Sequence, residues 1–349
     1  MRAIAPPTSP DAPLTVTELP DPEPGPGEVL IRVAGAGLNR ADLLQRAGHY
    51  PPPPGASDVL GLEVSGTVVA LGEGVAADGP GAEPCGWAEG DEVTALLAGG
   101  GYAELVAVPA AQVLPAAPVL TPASGLDLVS AGGLTEAACT AWTNLVDAGG
   151  LPVEAGGPAA GDRPWTVLVQ GGSGGVGHVA IQLAAALGHR VLTTAGSAER
   201  TARCLELGAE VAIDHRAQDV PGAVREATGG RGVDLILDVL GAGGLRDNVS
   251  MLATGGRLAV IGFQQGTTGE LDLSALAARR ASVTATTLRS RSVADKGAVV
   301  ADVRRHVWPL VADGRIRLVC EHRFGLAEAD AAHELLSDGN PFGKVVLAV

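Results

Sequence analysis

Residues 167–184, VLVQGGSGGVGHVAIQLA, set an apolar strand, a glycine-dense turn and an apolar helix directly one after another. Gly172, Gly174 and Gly177 stand there in G-x-G-x-x-G spacing, with Ser173, Gly175 and Val176 between them. Such glycines permit a tight turn, close approach of backbone to a pyrophosphate, and close packing of helix on strand. Free N–H groups and the dipole at the helix start then face the phosphates. A chain with 50 Gly can show this spacing by chance. Its strand–turn–helix setting argues otherwise. RVLTTA (Arg190–Ala195), EVAID (Glu210 to Asp214), VDLILDVL (Val233 to Leu240) and GRLAVIGF (Gly256 to Phe263) continue the series, with helices at 176–187 and near 198–207. Continuous apolar strands between helices predict a parallel sheet covered on both faces. SVTATTL (Ser282 to Leu288) reads as its last strand, a helix follows near 294–311, and GKVVLAV is a further strand.

The first third has a different grammar. VLIRVAGAGL (Val29 to Leu38), LEVSGTVVAL (Leu62 to Leu71), DEVTALL (Asp91 to Leu97) and YAELVAVP (Tyr102 to Pro109) are short strands between Gly/Pro punctuation, and they predict a barrel-like β domain. Pro22 to Glu28 and Pro51 to Ser57 are stiff connectors, and 76–90 and 149–164 read as surface loops. With 349 residues, 46% hydrophobic, the chain has room for two cores and too little charge for disorder. The formal net charge of -15 disfavours nucleic-acid binding. Cys85, Cys139, Cys204 and Cys320 lie too far apart for a zinc or disulfide framework. The first twenty residues lack a signal-peptide pattern and no apolar run is long enough to span a bilayer, so the expectation is a cytoplasmic protein.

The second strand of the β/α series decides the choice of dinucleotide. NAD-binding versions carry an acid near its end to bond the ribose 2′-hydroxyl. Here Gly196 and Ser197 stand at that place, Arg200 follows, and His215 and Arg216 end the next strand. Missing negative charge beside positive charge predicts NADP(H). Glu199 works against it, and solvated helix-end arginines are the plainer alternative.

NRADLLQRAGHYPPPPGASDVLGLEVSGTV (Asn39 to Val68) together with QGGSGGVGHVAIQLA resembles the zinc-independent quinone oxidoreductases. These belong to the medium-chain dehydrogenase/reductase superfamily with zeta-crystallin, and the stress-inducible subgroup is the most similar. TAGS (Thr194 to Ser197), VDLILDVLG (Val233 to Gly241), LRSR (Leu288 to Arg291) and GKVVL (Gly343 to Leu347) agree in order, so the likeness covers nearly the whole chain. It implies an α/β protein: a GroES-like β-rich catalytic domain from residues 1–134 and 291–349, and a Rossmann doubly wound parallel-sheet domain from 135–290, with the active site in the cleft. The zinc-dependent alcohol dehydrogenase branch has Cys at the place of Asn39, and its Gly-His-Glu ligands correspond to Gly61-Leu62-Glu63. Its four-cysteine lobe would fall near 76–90, where Cys85 stands alone. Metal-assisted alcohol oxidation is therefore not expected.

The resemblance implies that Asn39, Asp42 and Tyr50 serve catalysis, with Asn39 also near the nicotinamide ribose. It places Thr140 by the nicotinamide, and Leu240, Gly241, Ile261, Gly262 and Phe263 at the cofactor edge of the sheet. Phe342, Gly343 and Lys344 resemble the family's C-terminal cofactor contact. Plainer roles stay open: Asn39 satisfying a turn, Asp42 capping a helix, Tyr50 packing on prolines, Thr140 packing in a helix. Arg289 and Arg291 suit a substrate contact or a surface role equally. A reduced nicotinamide passes hydride to an acceptor that is already electrophilic, so the expected activity is NADPH-dependent quinone reduction. Reduction of an enone or enoyl thioester is the alternative, and a non-catalytic NADPH-binding role the least expected. The exposed edge of SVTATTL predicts a homodimer.

Overall fold

The computed structural model describes residues 1–6, 9, 12–75, 86–153, 163–339 and 341–349. The expected loops at 76–90 and 149–164 fall mostly outside them, and Cys85 does so entirely. The chain forms two compact units, Met1–Cys139 with Leu288–Val349, and Thr140–Thr287. The expected boundaries differ by a few residues.

In the first unit the long strand Glu28–Gly37 is the organiser. Val29, Ile31 and Val33 point alternately into the core, as period-two patterning demands. It pairs antiparallel with Glu63–Leu71 on one side. On the other it pairs with Leu105–Pro109 along its first half and with Val345–Ala348 along its second. The last strand of the sequence is thus hydrogen-bonded into the N-terminal sheet, Val346 opposite Gly37. That pairing sets residues 342–344 beside the start of the helix Arg40–Arg46. Glu92–Leu96 and Val113–Pro115 extend the sheet. Ile4, Ile31, Leu60, Val64 and Tyr102 fill the core.

The second unit is a six-stranded, all-parallel sheet. Its spatial order is Val211–Asp214, Arg190–Ala195, Thr166–Val169, Val233–Asp238, Leu252–Val260, Ser282–Ala285. Thr166–Val169 and Val233–Asp238 are buried at every position, which is why they are mostly apolar without a two-residue alternation. The order reverses between these two strands, and ligands of such sheets sit outside the carboxyl ends there. The strand expected at Gly256 to Phe263 in fact spans Leu252–Val260, so Ile261, Gly262 and Phe263 lie in the loop beyond it. The helix expected at 294–311 is two, Val293–His306 and Trp308–Ala312, because Pro309 has no N–H to continue the ladder. Ser282–Ala285 is an edge strand. No helix among the described residues is long and apolar enough to cross a membrane.

Candidate functional site

The turn from Glu28–Gly37 into Arg40–Arg46 builds the first cluster. Asn39, extended at the N-cap, donates its N–H to Asp42 Oδ2 at 2.8 Å. A carboxylate three residues into a helix satisfies an orphan donor this way. Asp42 is completely buried, and it also accepts from Gly61 N–H on Oδ1 (3.2 Å) and from the Tyr102 hydroxyl on Oδ2 (3.1 Å). Burial raises its pKa from 3.8 to about 6, against those donors and the Lys344 charge. Tyr102 Oη lies 3.2 Å from His333 Nε2. The hydroxyl proton goes to the carboxylate, so Nε2 carries the imidazole hydrogen and donates. His333 Nδ1 is left buried without a partner. Burial, with the Arg46 charge, lowers the His333 pKa to about 4, so the ring is neutral.

Beside it lies a buried ion pair. Lys344 Nζ donates to Glu63 Oε1 (2.6 Å), Asn39 Oδ1 (2.7 Å) and the Leu38 carbonyl (2.7 Å), which uses all three ammonium protons. Asn39 Nδ2 donates to Glu63 Oε1 at 3.0 Å, and Glu63 Oε2 accepts the Glu136 N–H at 2.9 Å, in the first turn of Thr135–Trp142. Glu63 is fully buried and Lys344 2% exposed. A pair so deeply desolvated holds only because its remaining hydrogen-bonding groups are met.

Tyr50 is half-buried on the connector after Arg40–Arg46. Arg289 lies 5.2 Å from its ring centroid and donates to three acceptors: Tyr50 O (3.0 Å), Ala98 O (2.8 Å) and Gln45 Oε1 (2.7 Å).

In the second unit, the glycine turn meets its requirements in backbone. A Cβ at Gly172 would collide with Thr193 Oγ1, and one at Gly177 with the Gly171 carbonyl. A Cβ at Gly174 would meet only the Gly171 carbonyl, 3.3 Å away. The helix Gly177–Ala186 starts at the turn and buries its residues from Gly177 through Ala184. Arg200 reaches back from Ala198–Glu206 to donate to Ser173 Oγ at 3.3 Å, and Ser197 caps that helix. Gly196 faces Arg216 and His215, each within 3.4 Å of where its Cβ would stand. Leu240 and Gly241 are held by buried Asp238, whose Oδ1 and Oδ2 accept their N–H groups at 3.0 and 2.8 Å. Asn248 bridges that carboxylate to Gln170, the residue before the glycine turn. Thr140 O accepts from Asn144 Nδ2 at 2.9 Å, while Thr286 Oγ1 donates to Asn144 Oδ1 at 2.6 Å.

Residues 25–118 match the alcohol dehydrogenase GroES-like domain, and residues 175–302 the zinc-binding dehydrogenase domain. A probable quinone oxidoreductase of Schizosaccharomyces pombe is 29% identical over 97% of this chain and 94% of its own. A mycobacterial quinone oxidoreductase, solved alone and with NADPH, is 31% identical over the full length of both chains, with TM-scores of 0.79 and 0.80. The chain is a quinone oxidoreductase-like member of the medium-chain dehydrogenase/reductase superfamily. It also spans 14% of a much longer relative, a phenolphthiocerol/phthiocerol polyketide synthase of Mycobacterium tuberculosis, at 32% identity over 96% of this chain.

Members of this superfamily bind a nicotinamide cofactor, and the second unit fits it: Gly172 and Gly177 are required by packing, while a side chain at Gly174 would meet only the Gly171 carbonyl. Zinc does not fit. Asn39 and buried Leu62 stand where the zinc branch has soft or imidazole ligands, and the Lys344 ammonium already bonds Asn39 and Glu63. Among the described residues no three His, Cys, Asp or Glu side chains converge as metal ligands.

The structure joins Asn39, Asp42 and Lys344 in one buried neighbourhood, and Gly196, Ser197, Arg200, His215 and Ser173 in a second group that is open to solvent at His215. Gly241, Gly262 and Phe263 form a third group, since a Gly241 Cβ would meet Phe263 Cα and the Gly262 carbonyl. Ile261 begins that loop, its N–H bonded to Asp238 O. Phe342 is buried, and Gly343 needs φ +78 beside the Val319 carbonyl. Sequence reading missed Tyr102, His333, Asp238, Asn248 and Gln170. Asp238 had a signal: a carboxylate that ends a buried strand after Leu235, Ile236 and Leu237 must be satisfied by the turn it enters.

Proposed function

We propose that this protein reduces quinones with NADPH. When bound, the reduced nicotinamide supplies a hydride. Gly172 to Gly177 would hold the pyrophosphate, and Arg200, His215 and Arg216 the 2′-phosphate, with no carboxylate at Gly196 or Ser197 to oppose it. One solved relative, 32% identical, is described as an NAD-dependent alcohol dehydrogenase, so the cofactor rests on these side chains. The observation that carries the reaction class is the Asn39–Glu63–Lys344 cluster: its ammonium is fully engaged and its donor set leaves no Lewis acid. An acceptor must then be electrophilic by itself, and a quinone is, because its reduced oxygen is delocalised and takes its proton from water. Tyr50 supplies the hydroxyl that donates to that oxygen, while Asn39 is held on both ends of its amide as a positioning group. Ser282–Ala285 would pair with a second copy to make a homodimer.

Following NADPH absorbance with ortho-quinones, para-quinones and 2-enones in parallel tests the reading. Quinone turnover supports it, and NADPH binding without turnover of any acceptor refutes it. Turnover of enones alone would favour the enoyl-reductase alternative, to which the polyketide synthase likeness lends weight. Tyr50→Phe and Asn39→Ala should both lower turnover, and a monomer at all concentrations in light scattering removes the dimer.

A further inference from the structure

Arg289 and Lys296 are two buried cations, 5% and 4% exposed, in a chain whose net charge is -15. Neither forms an ion pair among the described residues. Arg289 spends its guanidinium on two carbonyls and an amide oxygen. Among the described residues Lys296 Nζ has a single acceptor, the Arg289 carbonyl at 3.3 Å, so two ammonium donors are unused there. Burial lowers both pKa values, Lys296 also through the Arg289 charge, so the fold holds the cations against desolvation and mutual repulsion. The Asp42 carboxylate acts on Arg289 favourably; among the described residues no such charge relieves Lys296. Elsewhere in the same unit a buried cation is fully met, as Lys344 is by Glu63. Buried charge without a counter-ion is the exception that a ligand explains.

We propose that Arg289 and Lys296 form a seat for an anionic group on the acceptor, so that acceptors bearing a sulfonate, carboxylate or phosphate are preferred over neutral ones. This rests on Tyr50 lying on the acceptor's side, since the Arg289 guanidinium stacks on the Tyr50 ring. The seat lies within the first unit: Arg289 on the segment entering Val293–His306, Lys296 on that helix, Tyr50 and Gln45 from the N-terminal portion.

The test compares 1,2-naphthoquinone-4-sulfonate with 1,2-naphthoquinone as acceptors for the full chain with NADPH. The ratio of their kcat/KM values should favour the sulfonate by about tenfold, the size of one charge-assisted contact in a desolvated site. Lys296→Gln should bring the ratio near one and Lys296→Arg should restore it, a pattern that general damage to the fold would not produce. A ratio indifferent to Lys296 overturns the seat while leaving quinone reduction standing. If neither quinone turns over, the quinone-reductase reading falls, and calorimetry with 2-naphthalenesulfonate decides the seat alone. Saturable binding weakened in Lys296→Gln supports it, and equal or absent binding overturns it.

Discussion

Around Glu63 the chain handles charge with side chains, and around Gly172 it does so with backbone. In the first unit, Glu63, Lys344, Asn39 and Asp42 are brought together from distant parts of the sequence and interlocked at 2.6–3.0 Å. Each depends on the others, so removal of one leaves a buried charge or donor unmet. In the second unit the turn relies mainly on what glycines lack, with few side-chain contacts: Arg200 donates to Ser173 Oγ, and Thr194 Oγ1 accepts the Gly171 N–H. A site made of buried side chains should fail through stability. One made of backbone should fail through ligand affinity.

Four measurements put that contrast at risk. Lys344→Met should have the largest effect, about 3–5 kcal/mol of unfolding stability lost, because it strands the Glu63 carboxylate in the core. Denaturant titration reads it, and the double variant with Glu63→Gln should recover much of the loss. Gly177→Val should do the opposite: a smaller change in stability but roughly a hundredfold loss of NADPH affinity, through displacement of the turn. Fluorescence titration of NADPH checks it, and equal affinity would undo the contrast.

The third measurement is pH dependence. Asp42, raised from 3.8 to about 6, binds its proton more tightly in the fold, so its contribution to stability rises as pH falls through 6 towards 4. His333, lowered from 6.5 to about 4, binds more weakly in the fold, so its contribution falls over nearly the same window. The two oppose, and between pH 6.5 and 4 their sum is nearly flat. His333→Gln should expose the Asp42 trend and Asp42→Asn the His333 trend. Across that window the two variants should drift in opposite directions, each by about 2 kcal/mol, in unfolding titrations. Parallel pH profiles would show that the groups are not opposed. Smallest is Arg200→Ala, with about a tenfold fall in kcat/KM for NADPH relative to NADH, the value of one charged contact to a phosphate. No change in that ratio would remove Arg200 from the cofactor site.

The second unit was legible because its information is local. Gly172, Gly174 and Gly177 need only their neighbours in sequence to reveal their purpose, and Thr166–Val169 declares its burial in its own composition. The first unit's core was legible as strands, but its charges were not. Asp42 read as a possible cap, which it is, yet nothing near it in sequence pointed to Tyr102 or His333. Leu252–Val260 began earlier than expected because Leu252 pairs with Val233, the ladder then skipping Ala253 to Gly256 before it resumes at Arg257 opposite Leu235. Propensity yields there to sheet hydrogen bonds.

The order of residues was enough to settle the alternation of strands and helices and the glycine turn that joins Thr166–Val169 to its helix. Periodicity and backbone geometry act over a few residues, so one segment suffices to read them. Only the folded chain decided that Lys344 neutralises Glu63 across 281 positions, and that Arg289 reaches Gln45 across 244. It also left Lys296 buried without a counter-ion among the described residues. A buried charge is defined by what surrounds it, and that is fixed only once Val345–Ala348 has paired with Glu28–Gly37.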